Sequence, residues 1–327
     1  MRVLLFCAAP RGSRSGNRRT AERWAKLLRH DVHIVSDAHA KLDCDVLVAL
    51  HARHGGEILR RARAERAGLP TVLALTGTDL SHDIAVDPYA RGSLALADRL
   101  VVLHDLAVEE VPAEYRDIVR VIPQSARPPA VAVARARTRF EVAVVGHLRA
   151  VKDPLRAALA ARRLPASSRV RVVHAGAALD EELERAAIRE QRENPRYRWL
   201  GDVPPARALR LIAHARVFVL SSHSEGGANV LGEAIVCGTP VIASDIPAAR
   251  SALGDDYPAL FESGDEAALA RLLARAETDP SWLAELTRRV RARRDRFAPT
   301  RELAAWRELL RELVRPRSLR RGLVVAP

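Results

Sequence analysis

The sequence predicts an α/β protein with two doubly wound parallel sheets. Short apolar runs alternate with longer amphipathic segments along nearly the whole chain, a pattern typical of βα units around parallel sheets. The chain has 327 residues, about twice the usual length of a domain. A proline-bearing and arginine-bearing stretch without a convincing period interrupts the alternation at 123–138. We therefore expect two Rossmann-like domains whose strands present their carboxyl ends to one cleft, where such folds bind ligands.

The first series of predicted elements opens at residue 2. Its strands are expected at 2–6, 32–35, 45–50, 71–75, 99–103 and 119–122. Helical segments lie between most of them, and 18–29 places Ala21, Trp24 and Leu28 on one face. The first nine residues also have features of a signal peptide, but their apolar core is very short, so we predict a buried strand.

The second series restarts at 140–146. Further strands are expected near 170–174, 197–200, 216–220, 240–243 and 259–261. The predicted domains are 1–130 and 139–298, joined by a linker at 131–138. The last stretch, 281–315, is helical and rich in arginine, and we expect its helix at 300–315 to pack back on the first domain.

The net charge is the conspicuous feature of the composition. The chain has 53 basic and 40 acidic residues, a surplus of +13, which suits nucleic acid, an acidic membrane or small anionic substrates. Nearly all of the basic residues are arginines, since lysine occurs only at Lys26, Lys41 and Lys152. Aromatic residues make up 4% and do not interleave with basic runs, which disfavours nucleic acid.

Cysteine usage and hydropathy exclude further classes. The three cysteines, Cys7, Cys44 and Cys237, are far apart and form no CxxC pair, so neither a zinc cluster nor a disulfide framework is expected. No apolar run approaches the roughly 18 residues that span a bilayer. We expect a cytoplasmic protein.

The most informative segment is 221–244, which reads SSHSEGGANVLGEAIVCGTPVIAS. A strand runs into a glycine-bearing loop and then into a helix predicted to begin near Asn229, which we expect to cap it. Gly226 and Gly227 allow close backbone approach, and the helix start offers free N–H groups to a diphosphate. Glu225 and Glu233 are eight residues apart and are expected to face one ligand pocket.

This segment, together with 208–220, resembles the donor-binding half of glycosyltransferase family 4, whose members have the B-type two-domain glycosyltransferase fold. The resemblance implies that Glu225 contacts the transferred sugar and that Glu233 binds the ribose of the nucleotide. The backbone from Gly226 through Gly227 and Ala228 to Asn229 then matches the turn that holds the diphosphate and sugar.

A second segment, GHLRAVKDP at 146–154, agrees with that resemblance. Lys152 matches the family lysine that grips the diphosphate, and Gly146 opens the loop. His147 stands where the family shows an arginine, so Arg149, two residues on, is the alternative source of that cation. The reaction implied needs no metal. Asp43 and Asp45 spell a DxD motif, but they lead into an apolar strand and are expected to be structural.

Three loops of the first domain are rich in groups that bind anions. They contain Arg11, Gly12 and Asn17 in the first loop, His51 and Arg53 in the second, and Thr76, Gly77, Thr78 and Asp79 in the third. Each follows a predicted strand, and together they favour a small anionic acceptor. Asp79 matches the Asp of a family His-Asp pair, and Thr78 replaces the His.

These loops, with 146–154, 225–234 and 253–257, resemble the selenosugar synthase (SenB-type) branch of the family over approximately residues 1–275. The resemblance implies transfer of N-acetylglucosamine or glucose from its UDP form to the selenium of selenophosphate, with release of UDP and phosphate. Selenophosphate is highly charged and nucleophilic, so it needs cationic positioning more than a general base.

Two other functions remain open on the sequence. One is a conventional family 4 transferase with a sugar or lipid-linked hydroxyl acceptor, although the basic 10–20 loop lacks the apolar patch expected beside a lipid. The other is a basic nucleic-acid-binding protein that uses the arginine-rich stretch 288–321. We expect no nucleic acid and no membrane as partners, and the sequence leaves the preferred hexose and the oligomeric state open.

Overall fold

The computed structural model describes residues 1–314 apart from residues 14, 30, 78 and 137. Within these residues the chain forms two parallel six-stranded sheets, each flanked by helices. It divides into two compact units. The first comprises residues 1–123 together with the helix that begins at Pro299, and the second comprises Gln124–Ala298. The predicted fold class is confirmed.

The first unit has the strand order β2-β1-β3-β4-β5-β6. Its elements are β1 (Arg2–Phe6), α1 (Gly16–Leu28), β2 (Asp31–Val35), β3 (Val46–Leu50), α2 (Ala52–Glu65), β4 (Thr71–Ala74), a π-helical turn (Asp79–Asp83), α3 (Ile84–Val86), α4 (Pro88–Gly92), β5 (Arg99–Val102), α5 (Ala107–Glu110) and β6 (Val119–Val121). The β3 and β4 strands are buried along their whole length, as is typical of strands covered on both faces.

The second unit has the strand order β12-β11-β10-β7-β8-β9. Its elements are β7 (Phe140–Val145), α6 (Arg156–Arg162), β8 (Val170–Ala175), α7 (Glu181–Glu193), β9 (Tyr197–Trp199), α8 (Pro205–His214), β10 (Val217–Leu220), α9 (Asn229–Cys237), β11 (Val241–Ser244), α10 (Pro247–Leu253), β12 (Leu260–Phe261), α11 (Glu266–Thr278) and α12 (Pro280–Ala292). The apolar core of this unit extends from β7 to Phe297.

The last described helix, α13 (Pro299–Val314), completes the first unit. Trp306 meets Trp24 of α1 edge to face, with 4.6 Å between ring centroids. The Trp24 indole N–H donates to Glu302 at 2.7 Å, which satisfies a buried donor and a buried carboxylate together. The packing predicted for 300–315 is therefore seen over the residues of α13. The preceding helix α12 packs in the second unit.

The boundary between the units lies earlier than the sequence predicts. Residues 124–136, assigned partly to the first domain and partly to a linker, pack on the second unit. The Arg135 guanidinium donates to the carbonyl oxygens of Ala215 at 2.5 Å and Gly238 at 2.7 Å. The Ala136 amide donates to the carbonyl of His214 at 3.0 Å. These hydrogen bonds from backbone and side-chain groups hold residues 124–136 against the rest of the second unit.

Candidate functional site

Two loops of the second unit lie side by side at the carboxyl ends of their strands. The loop after β7 is 146–153 and the loop after β10 is 221–228. The His223 amide donates to the carbonyl of Val151 at 2.9 Å, and the Ser221 hydroxyl donates to the carbonyl of Asp153 at 2.8 Å. Because β7 and β10 are neighbours in the sheet, these bonds fix the two loops against each other. The sequence predicted that both would serve one donor site.

Lys152 and Glu225 form an ion pair across these two loops. The Lys152 ammonium lies 2.6 Å and 2.5 Å from the two carboxylate oxygens of Glu225. The Ser222 hydroxyl donates to the same carboxylate at 2.6 Å. The Glu225 side chain is 7% exposed, whereas that of Lys152 is 29% exposed. The carboxylate is thus fixed in the protein, and the cation keeps a side open to an incoming anion.

The helix α9 begins beside this ion pair. Its N-cap is Ala228, with φ 42° and ψ 58°, and the cap supplies no side-chain hydrogen bond. The prediction that Asn229 caps the helix is wrong, because Asn229 is its first helical residue. Left-handed backbone costs an alanine about 1 kcal/mol, and such strain often accompanies functional sites. Glu233 follows Asn229 by four residues, so the two share a helix face.

The two predicted glycines, Gly226 and Gly227, lie in this loop and are half-buried. They precede Ala228, which adopts the left-handed conformation in their place. Arg149 lies in the loop after β7 and is exposed, and its carbonyl accepts the Lys152 amide at 2.9 Å. Lys152 and Glu225 are therefore in direct contact, whereas Arg149 is exposed to solvent.

The backbone of Gly146 is in close contact with the loop after β8. A methyl group on Gly176 would lie 1.8 Å from the Gly146 carbonyl oxygen, so only glycine fits there. The His174 Nε2 lies 2.9 Å from that same oxygen, and its Nδ1 lies 2.9 Å from the Tyr197 hydroxyl. The predicted donor residue His147 accepts the Ala177 amide at its Nδ1 at 3.1 Å. The Nδ1 of His147 is thus bonded to the protein's own backbone.

Burial lowers the pKa of His174 to about 4. An unfolded histidine titrates near 6.5, so the unfolded chain binds the extra proton as the pH falls from about 6.5 to 4. We expect the free energy of unfolding to fall by roughly 3 kcal/mol as the pH is lowered through that range. Above about pH 6.5 the contribution of His174 to the free energy of unfolding should not change with pH. Urea unfolding as a function of pH measures the effect.

The His174→Gln variant should show a shallower loss of stability between those pH values than the wild type. His33, whose side chain is 59% exposed, provides the control, and His33→Gln should retain the wild-type slope. Equal slopes in the wild type and His174→Gln would contradict the assignment of the buried neutral histidine.

The first unit holds a second set of polar groups where its strands end. Asp79 is fully buried, and its carboxylate accepts the Gly77 amide at 2.8 Å and the Ala52 amide at 3.1 Å. It therefore ties the loop after β4 to the start of α2. Both carboxylate oxygens are used in this way, so Asp79 is a positioning residue here. Thr78 lies outside the described residues.

His51 lies between β3 and α2 in a strained conformation. Its φ is 74°, and its side chain is 8% exposed. Among the described residues, its Nδ1 finds no hydrogen-bond partner, while its Nε2 lies 3.7 Å from Asp83. The ring of His54 lies 4.5 Å away. Burial, together with His51 and Arg53, lowers the pKa of His54. An unpartnered buried nitrogen beside the start of a 14-residue helix is typical of a ligand site.

The remaining predicted acceptor residues take different positions. The Thr76 hydroxyl donates to Asn17 at 2.8 Å, so the loops after β1 and β4 meet. Arg53 is exposed and pairs with Asp87 at 3.4 Å. Arg11 and Gly12 are exposed in the turn before α1, where Gly12 has φ 85°. Sequence reasoning missed His54, Asp83, Ser222, His174 and Gly176.

The pair Asp43 and Asp45 has a structural role. The Asp43 carboxylate pairs with the Arg2 guanidinium, and the Asp45 carboxylate accepts the Arg2 amide at 2.7 Å. Within the described residues, no group of three or more His, Cys, Asp or Glu side chains is placed to hold a metal ion. None of the described helices is long and apolar enough to cross a membrane.

Two doubly wound parallel sheets with an ion-paired loop before a helix define a protein of the B-type glycosyltransferase fold. Structure comparison agrees. HepE of Anabaena, in complex with UDP, has a TM-score of 0.75 at 16% identity and covers 95% of this chain and 100% of its own. A trehalose-phosphate synthase of Burkholderia xenovorans, with glucose-6-phosphate, has a TM-score of 0.68 at 16% identity and covers 90% and 75%.

The chain belongs to the family of glycosyl transferases group 1, which it matches over residues 131–295. Among curated proteins it is similar to D-inositol 3-phosphate glycosyltransferase of Nocardia farcinica, with 29% identity over 224 residues. That match covers 61% of this chain and 50% of the relative. The chain thus spans about half the length of the curated relative.

Proposed function

We propose that this protein transfers a hexose, N-acetylglucosamine or glucose, from its UDP form to the selenium of selenophosphate. The observation that carries the donor half is the Lys152–Glu225 pair beside the start of α9. The exposed side of the Lys152 ammonium would bind the diphosphate of UDP. The backbone N–H groups at the start of α9 would add hydrogen bonds and the positive end of the helix dipole. Membership of glycosyl transferases group 1 and the UDP in the HepE complex support a UDP-sugar as donor.

The reaction breaks the bond between the anomeric carbon and the diphosphate oxygen. The electron pair leaves on UDP, and a selenium lone pair forms the new carbon–selenium bond. Lys152 and the helix start stabilise the charge that grows on the leaving diphosphate, each contact contributing about 1.5–3 kcal/mol. Water then cleaves the selenium–phosphorus bond and releases phosphate. These protein groups would supply the charge stabilisation, and we expect the reaction to proceed without added metal ions.

An anionic acceptor fits the groups at the strand ends of the first unit. The unpartnered Nδ1 of His51 and the backbone N–H groups at the start of α2 are available to bind a phosphate-like anion. Asp79 stands at the position of the Asp in the family His-Asp pair, and each of its carboxylate oxygens accepts a hydrogen bond from a backbone amide. A hydroxyl acceptor needs a base to remove its proton, whereas selenophosphate is already an anion.

The alternative is a conventional transferase with a sugar or lipid-linked hydroxyl acceptor. The curated relative is named for inositol 3-phosphate, and the trehalose-phosphate synthase complex holds glucose-6-phosphate. Those names favour an acceptor that carries both a phosphate and a hydroxyl group. His51 and α2 would serve such a phosphate equally well, so the acceptor must be distinguished by assay.

The deciding experiment measures UDP release from UDP-N-acetylglucosamine and UDP-glucose with a panel of acceptors. Selenophosphate should raise the rate far above the rate of hydrolysis, while inositol 3-phosphate and glucose-6-phosphate should not. Thiophosphate tests whether sulfur replaces selenium. Faster release with a hydroxyl acceptor than with selenophosphate would establish the conventional alternative.

His51→Ala should raise the KM for the acceptor about tenfold, because one charge-assisted contact contributes about 1.5 kcal/mol or more. The KM for the UDP-sugar should stay within a factor of two. His39→Ala is the matched control, since that side chain is 71% exposed on the same unit. An unchanged acceptor KM in His51→Ala would remove His51 from the acceptor site.

A further inference from the structure

A groove lies on the second unit along strands β8 and β9. Its volume is about 970 Å³. Right-handed connections place α6 and α7 on one face of these strands, and α8 packs on the opposite face against β7. The groove is lined by α8, by β8 and β9 and by Gln191 of α7, and Val133 and Arg139 also contribute to its lining. A volume of this size accommodates a bound molecule.

Strand register determines which side chains share the groove face. Glu141 pairs with Arg171 across β7 and β8, and Val173 pairs with Arg198 across β8 and β9. Side chains alternate between the faces of a strand, and residues of both alternations, Tyr197 and Trp199 included, line the groove. Tyr197 is buried, with its hydroxyl 2.9 Å from the buried His174, and the Trp199 indole donates to the Gly176 carbonyl at 2.9 Å.

The walls of the groove are cationic and its floor is partly apolar. Helix α8 contributes Arg207, Arg210 and Leu211, which follow helical spacing along one face. The strands contribute Arg171 and Arg198 with Val173 between them, and Arg139 lies at one end. The groove therefore has an apolar strip with guanidinium groups on both sides.

These guanidinium groups are not neutralised by the protein. Arg139, Arg198, Arg207 and Arg210 are exposed, and within the described part of the chain none of them, nor Arg171, forms an ion pair. Elsewhere on the same unit arginines commonly pair with carboxylates, as Arg162 does with Glu190 at 2.8 Å. Glu141 is the one carboxylate among the described lining residues.

We propose that this groove binds an acidic amphipathic peptide segment of a partner protein. Apolar side chains of that segment would pack on the strip formed by Val173 and Leu211, and its carboxylates would pair with the arginines on either side. Single-stranded nucleic acid fits less well because Tyr197 is buried and the Trp199 indole is bonded to the Gly176 carbonyl, so these rings are poorly placed to stack on bases. A lipid surface is flat, whereas this site is concave.

The test uses the full chain and a fluorescein-labelled ten-residue peptide of alternating Glu and Leu, followed by fluorescence anisotropy. The peptide should bind, and binding should weaken as salt is raised. The double variant R207E/R210E should weaken it about tenfold or more. The double variant R189E/R192E on α7 is the matched control, because it has the same charge change and spacing on exposed residues that do not line the groove.

UDP affinity, measured on each variant, should equal that of the wild type and so show that the second unit is folded. Peptide binding that is absent, or that the R189E/R192E variant weakens equally, would overturn the proposal. A labelled uridine decamer or phosphatidylserine vesicles that bind more tightly than the peptide, and whose binding is lost in R207E/R210E, would also overturn the proposal. Self-association lost in that variant would assign the groove to a second copy instead.

Discussion

Lys152→Ala should lower kcat/KM for the UDP-sugar about a hundredfold. The substitution removes the ammonium that is paired with Glu225, and a charge-assisted contact to the leaving diphosphate contributes about 1.5–3 kcal/mol. Steady-state kinetics gives the rate, and calorimetry with UDP gives the affinity. Lys26→Ala, the same change at an exposed lysine of the first unit, should leave both values unchanged.

Loss of the cation also leaves the Glu225 carboxylate buried without its partner, which is expected to lower stability. The double variant K152A/E225Q separates the two effects, because it removes the charge on both sides. Its stability should recover toward the wild-type value, and its activity should not recover. Glu225→Gln alone should bind UDP at least as tightly as the wild type, since the carboxylate no longer competes for Lys152. Full activity in Lys152→Ala would contradict the donor-site assignment.

Gly176→Ala should be strongly destabilising. Its methyl group would lie 1.8 Å from the Gly146 carbonyl oxygen and 2.9 Å from the His147 amide nitrogen. These are backbone atoms that cannot rotate away, so the loop after β7 must move. We expect a loss of about 3 kcal/mol in urea unfolding and weaker UDP binding, because the displaced loop carries Lys152.

Gly146→Ala is the matched control for that variant. A methyl group at Gly146 would meet no atom within 4 Å, so stability should change by less than about 0.5 kcal/mol. UDP affinity should still fall about tenfold if the diphosphate packs against this loop. Equal stabilities of Gly176→Ala and the wild type would show that the loops after β7 and β8 are not in the contact described.

The strands were predictable because their signal is local. Each run of buried apolar residues, such as Val46–Leu50, appears in the sequence as an uninterrupted apolar segment, and all twelve predicted strands are present within a few residues of the expected bounds. The Lys152–Glu225 pair was predicted only in part. The two residues were singled out separately by their motifs, but a contact between side chains 73 positions apart has no local signature.

What the sequence could not predict depends on distant partners. Arg135 was assigned to a linker. Its partners, the carbonyls of Ala215 and Gly238, are about 80 to 100 positions away in the sequence, so no local pattern indicates these hydrogen bonds. Asp79 was predicted from its motif to bind the acceptor, but nothing in the sequence indicates that its carboxylate also joins two loops through backbone amides. The glycine pair at 226 and 227 indicated a tight turn, yet the left-handed residue is Ala228. Gly176 carried no motif, because its importance comes from the close approach of Gly146.

The proposed reaction forms a carbon–selenium bond between the hexose and selenophosphate. Mass spectrometry of a reaction containing the wild-type protein, UDP-N-acetylglucosamine and selenophosphate tests it most directly. We expect a product with the mass of the hexose plus selenium and the isotope pattern of selenium, formed about a hundredfold more slowly by Lys152→Ala than by the wild type. Unchanged UDP-sugar, or hexose recovered only on hydroxyl oxygen when hydroxyl acceptors are present, would contradict it.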